Sequence, residues 1–137
     1  MDDRNFSVVT NFALDSFNLV KKIQKEINKK YNIHADNLFY VLTVYSNEGL
    51  NQEKIGEILW VNKSKVARTL NTLEDEGFVE RRQDRSNRRQ NNIYTTPKGK
   101  RVFNDTMDLY KKMLASVDAD EFKSKLNGFV QASLSNN

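Results

Sequence analysis

Cysteine is absent from the 137 residues of this chain. No disulfide, thiolate nucleophile or thiol-based redox switch can therefore be built from it. Histidine is nearly absent as well. His34 stands alone, whereas tetrahedral zinc sites draw mostly on Cys and His. No acidic loop has the spacing of a calcium site, so no metal or other cofactor is expected. Proline occurs once, at Pro97, in keeping with a mostly helical chain that has no linker or low-complexity segment. No apolar run approaches the roughly 20 residues that cross a bilayer. The start, Met1-Asp2-Asp3-Arg4, lacks the basic residues and apolar core of a signal peptide. These absences predict a cytoplasmic protein with no membrane partner. With no Gly-rich phosphate loop and no His-based acid–base arrangement, the chain is not expected to be an enzyme.

Apolar residues make up 38% of the chain and charged residues 29%. This length and balance suit a single domain with one limited core, the type that often buries its remaining apolar surface by oligomerising. The net charge is only +4, but it is unevenly spread. From Glu80 to Arg101, eight basic residues face two acidic ones. That segment carries +6 and the remainder of the chain −2. Most charge clusters are solvated surface, yet a basic patch on a near-neutral body is also the footprint of a nucleic-acid binder.

Periodicity supplies the elements. A long helix is expected from about Phe6 to Tyr31, with Phe12, Leu19, Val20, Ile23 and Ile27 on one stripe, widened by Phe6, Val9, Ala13 and Phe17. A second helix is expected from Asp36 or Asn37, either able to cap it, to a point before Gly49. Asn51 and Asn62 read as N-caps of a third and a fourth helix. The third carries Ile55, Ile58 and Leu59; the fourth carries Val66, Leu70 and Leu73 at i, i+4 and i+7 and ends at Gly77. Phe78 and Val79 open a strand, Ile93 to Thr95 return it, and Thr96-Pro97 starts a fifth helix reaching about Ser116. Asp118 is expected to cap a last helix with Phe122, Leu126, Phe129 and Val130. The apolar stripes of the first and last helices suit pairing with the same helices of a second copy.

Two helices backed by apolar residues, followed by an arginine-rich hairpin, make physical sense beside a polyanion, and double-stranded DNA is the expected partner. With Val66, Leu70 and Leu73 inward, Ser64, Lys65, Arg68, Asn71 and Thr72 point out. Reading helices contact DNA through their N-terminal part, so Ser64, Lys65, Arg68 and Thr69 are candidates for base edges or flanking phosphates. Asn62 and Lys63 sit at the helix mouth, where amides and the positive dipole end suit a phosphate. Arg85, Arg88 and Arg89 lie in the tongue, the last two at or near its tip, placed to enter a minor groove. Arg81 and Arg82 alternate across a strand, so only one can face DNA. Asp84 is expected to orient a neighbouring arginine. Trp60, beside Leu59 and Val61, reads more readily as packing than as a stacking platform, and His34 as a surface residue.

Residues 51–100 resemble the MarR family of winged-helix transcriptional regulators. The resemblance rests on Lys63-Ser64-Lys65-Val66-Ala67-Arg68-Thr69-Leu70, Leu73-Glu74-Asp75-Glu76-Gly77-Phe78-Val79-Glu80-Arg81, Arg88-Arg89 and Thr96-Pro97-Lys98-Gly99. It implies a mainly α winged helix-turn-helix fold of about six helices plus a short β-hairpin wing. It also implies one domain over 1–137, with a DNA-binding lobe at 34–99 and dimerisation helices at 1–33 and 100–137. A homodimer on a palindromic operator follows, usually repressing nearby genes, with release by a small-molecule effector in many members. The wing arginine of the family falls on Arg89. Asn87 stands where the wing usually has Asp, and Trp60 where a small residue is common. The competing expectation is a winged helix that serves as a protein-interaction module without sequence-specific DNA binding.

Overall fold

The computed structural model describes residues 3–113 and, beyond them, residues 115, 118, 120, 123, 124, 126–128, 130 and 131. The chain divides into two compact units, Met1–Thr106 and Met107–Asn137. Helix α1 runs Asp3–Tyr31, α2 Asn37–Ser46, α3 Gln52–Leu59 and α4 Lys63–Asp75. Strands β1 (Val79–Gln83) and β2 (Asn91–Thr95) follow, then α5 (Pro97–Met113). Among the described residues no helix is long and apolar enough to cross a membrane.

The first unit is built around α2, which buries Leu38, Tyr40, Val41 and Val44. Ile23 and Ile27 of α1, Ile33, Ile55 of α3, Val66, Leu70 and Leu73 of α4, Phe78, Val79 and Ile93, and Val102 of α5 join it in the core. Asn51 accepts from the Lys54 amide at 2.8 Å and Asn62 from the Lys65 amide at 2.9 Å. Both satisfy donors that a helix start leaves unpaired. Asp36 does not cap α2 with its side chain; its carboxylate accepts from Gln24 instead. Helix α3 lies close against α4 at Gly56, where a Cβ would stand 3.1 Å from both the Val61 carbonyl and a Val66 methyl.

Strands β1 and β2 pair antiparallel, with Val79 opposite Thr95 and Gln83 opposite Asn91. The α2–α3 connection lies along the other edge of β2. The Gly49 amide donates to the Ile93 carbonyl, and the Ile93 amide to the Leu50 carbonyl, both at 2.9 Å. Glu48 extends this seam, its carboxylate accepting from the amide and hydroxyl of Thr95. At the start of α5, the Thr96 hydroxyl donates to the Gly77 carbonyl at 2.6 Å and accepts from the Gly99 amide at 3.1 Å. The helix therefore begins tied to the end of α4.

Two contacts hold α5 to the earlier helices within the first unit. Phe103 stacks on Tyr45 with ring centroids 4.0 Å apart. Asp105 accepts from Lys30 at 2.6 Å and Tyr31 at 2.5 Å, and these bonds hold its carboxyl below the ordinary carboxylate range. Helix α5 is described to Met113; Leu114 and Ser116, the end expected for it, lie outside the described residues. In the second unit, Asp118 accepts from the Asp120 amide at 3.0 Å, as a cap would, and the described residues beyond it are helical. Phe122 and Phe129, half of the stripe expected there, lie outside the described residues.

At Gly99 a Cβ would fall 2.2 Å from the Phe78 carbonyl oxygen. Backbone cannot yield as a flexible side chain does, so Gly99→Ala should destabilise by about 1–3 kcal/mol. At Gly128 a Cβ meets nothing within 4 Å, and the same change should be neutral or mildly stabilising. Urea midpoints of the two variants check the contrast; equal midpoints would refute it.

Asp105 generates a second prediction. Because its folded pKa is depressed, its contribution is present above the ordinary value of 3.8 and is lost as pH falls through the folded value. Asp105→Asn should lower Tm at pH 7, and the gap to the native chain should close in strong acid. A gap that persists or widens below pH 3 would assign the loss to packing.

Candidate nucleic-acid interface

Helix α4 divides its two faces cleanly. Val66, Thr69, Leu70 and Leu73 are buried, at the i, i+3, i+4 and i+7 spacing of a core-facing stripe. Lys63, Ser64, Lys65, Arg68, Asn71 and Thr72 are exposed on the other side. Thr69 corrects the sequence expectation. At 9% exposure it belongs to the buried face and is set back from any partner of the outer one. Its place three residues after Val66 carried that signal. Asn62 is exposed, but its side-chain oxygen is engaged as the cap of α4.

The wing loop between β1 and β2 is held by uncharged donors. Asp84 accepts from the amide and hydroxyl of Ser86 at 2.8 and 2.7 Å and from the Asn92 amide at 3.3 Å. These bonds, with the Ser86 hydroxyl foremost, hold the Asp84 carboxyl below its usual range. Asp84 therefore orients serine and asparagine, and the expectation that it braces an arginine is overturned. Asn87 accepts from the Arg89 amide at 3.1 Å, and Gln83 donates to the Arg88 carbonyl at 2.7 Å. Arg85, Arg88 and Arg89 are left exposed, with no ion pair among the described residues.

Arg81 and Arg82 part company as strand alternation requires. Arg81 turns to α4: its amide donates to Glu74 at 3.0 Å and its guanidinium to the Ala67 carbonyl at 3.4 Å. Arg82 lies on the opposite face, paired with Glu80 and 4.2 Å over the Tyr94 ring. Both brace the hairpin. Sequence reasoning missed this because Ala67, Glu74 and Tyr94 lie on another element or the opposite strand, and Glu80, on the same strand, pairs with Arg82 only through side-chain geometry.

Between the wing and the starts of α3 and α4 lies an open cleft of about 350 Å³, lined by Gln52, Glu53, Lys63, Asn87, Arg89 and Asn91 among others. It brings Lys63 of the helix mouth and Arg89 of the wing to one site. Trp60 again departs from expectation. It is 95% exposed and takes the left-handed conformation at the end of α3, φ 56° and ψ 44°, so it packs on nothing in the core. His34 is exposed.

A helix pair with one polar, basic face and an arginine-tipped hairpin beside it suits a polyanion, and comparison with known proteins agrees. The model of the family described as "MarR family" matches residues 33–90. The matched span takes in α2, α3, α4 and the outgoing strand of the wing, leaving α1, β2 and α5 outside it. The uncharacterised HTH-type transcriptional regulator YybA of Bacillus subtilis is 31% identical over 75 residues, 55% of this chain. That match spans half the length of YybA. The HTH-type transcriptional regulator BilQ of Clostridium symbiosum is 24% identical over 125 residues, 88% of this chain and 85% of BilQ. Among solved structures, a MarR-family regulator from Listeria monocytogenes in complex with a 26-mer DNA superposes with a TM-score of 0.78. The superposition covers 98% of this chain and 89% of that one, at 18% identity. The fold of that regulator thus extends over nearly the whole chain, well beyond residues 33–90.

Proposed function

We propose that this chain is a transcriptional regulator that binds double-stranded DNA as a homodimer, reads a palindromic operator and represses nearby genes. One observation carries the reading. The exposed face of α4, with Lys63, Ser64, Lys65 and Arg68, adjoins a wing whose Arg85, Arg88 and Arg89 are exposed and enter no ion pair among the described residues. In the proposed mode the start of α4 enters the major groove, where Arg and Lys donate to guanine O6 and N7. The wing arginines follow the adjacent backbone or minor groove. The dimer is supported by α1, whose N-terminal half exposes Phe6 at 61%, Leu14 at 54% and Phe17 at 56%. Apolar surface of this kind is normally covered by a partner, and a two-fold pair presents two reading helices to two half-sites. For release by a small molecule, the proposed crevice is the space of about 320 Å³ lined by Tyr31, Asn32, Glu76, Phe78 and Lys98.

Assembly is the first test. The purified chain should sediment at about twice 16.0 kDa. A stable, folded monomer at micromolar concentration would remove the two-half-site model.

Base reading is the second. Duplexes selected from random sequence should converge on a preferred site. Arg68→Ala should cost on the order of 1–3 kcal/mol at that site and much less on unrelated DNA. Native affinity should fall steeply as salt rises, because phosphate contacts release counterions. Selection without a preferred sequence, or a mutant that keeps full specificity, would favour the protein-interaction reading.

A further inference from the structure

Trp60 is the only tryptophan of the chain, and its placement does nothing for the fold. At 95% exposure the indole leaves a large apolar area in water. Its φ of 56° is costly for a residue with a Cβ and natural for glycine. A turn selected only for stability would not keep it.

Its neighbours indicate what covers it. The cleft between wing and helix starts runs on into a second, of about 310 Å³, that reaches Trp60; the two share Gln52, Glu53 and Lys63. One continuous furrow thus has Arg89 at the wing end, Lys63 in the middle and the indole at the far end. Trp60 stands two residues before Asn62, the cap of α4. A DNA strand whose phosphates lie between Arg89 and Lys63 is carried along the furrow towards the indole. Among the described residues Lys63 is the only cation lining this second cleft, and Glu53 and Glu57 line it with the indole, Glu57 being paired with Lys54 at 3.2 Å. Beyond Lys63 there is no further cation in the lining to draw a phosphate, so the indole meets the uncharged parts of the strand.

We infer that Trp60 is a DNA-contact residue, laid against the deoxyribose and base edge of the strand that flanks the bases read by α4. This extends the interface beyond the helix and wing, and it rests on the DNA-binding reading above.

The test uses the full chain and the duplex enriched from random sequence. As the single tryptophan, Trp60 reports its own surroundings. Its emission should shift to the blue and lose intensity as duplex is added, saturating with the gel shift. Trp60→Gly should fold with a Tm equal to or above that of the native chain, since glycine is at ease in this turn. It should bind the duplex about tenfold more weakly. Its salt dependence should be unchanged, whereas Lys63→Ala should lower the slope by about one. A duplex that shifts in the gel without altering the emission, together with native affinity in Trp60→Gly, would overturn the inference and leave DNA binding standing. Emission that changes with protein concentration alone, with no further change on adding duplex, would assign the indole to a protein contact and overturn it too. If no duplex shifts at all, the functional reading fails, and the inference with it.

Discussion

The backbone of Ile93 is bonded to the α2–α3 connection through both its amide and its carbonyl, at 2.9 Å each, while β1 runs along the opposite edge of its strand. Strand β2 is therefore a middle strand, and the arginine tongue is no free hairpin. A two-stranded hairpin alone is marginal in water. Here Glu48 fastens Thr95 on one side and Arg81 fastens the other strand to α4. The base of the wing is thus tied to the same helices that present the start of α4, and Arg89 and Lys63 line one cleft. A ligand that spanned both places would meet groups already held in position by the fold.

The basic cluster that stands out in the sequence does two kinds of work. Arg81 and Arg82 hold the hairpin, and Lys98 donates to the Glu76 carbonyl at 2.9 Å while lying 4.3 Å over the Phe78 ring. These cations serve folding. Arg85, Arg88 and Arg89 serve the surface. Net charge alone could not divide them, because the division depends on which strand face each residue occupies and on what stands opposite.

What the sequence shows well is local. The caps Asn51, Asn62 and Thr96, the stripe of α4 and the hairpin all follow from spacing and turn chemistry, and each is found where expected. The errors arise where distance or handedness decides. The pairing of residues 49–51 with β2 joins segments more than forty residues apart, over a stretch too short to show alternation. Trp60 sits between Leu59 and Val61 and so reads as core, but a left-handed backbone turns it outward. Among the candidate contacts, the outward face of α4 was legible from the helical period, and Thr69 was misplaced by weighing chemistry above that same period.

The wing loop contains no cation–anion pair among the described residues; its shape rests on Asp84 with Ser86 and Asn92, Asn87 with the Arg89 amide, and Gln83 with the Arg88 carbonyl. Bonds from neutral donors at such short range are hardly touched by mobile ions, whose screening acts mainly on separated charges. Ionic strength therefore acts more on how strongly the three exposed arginines are felt at a distance than on the bonds that shape the loop holding them.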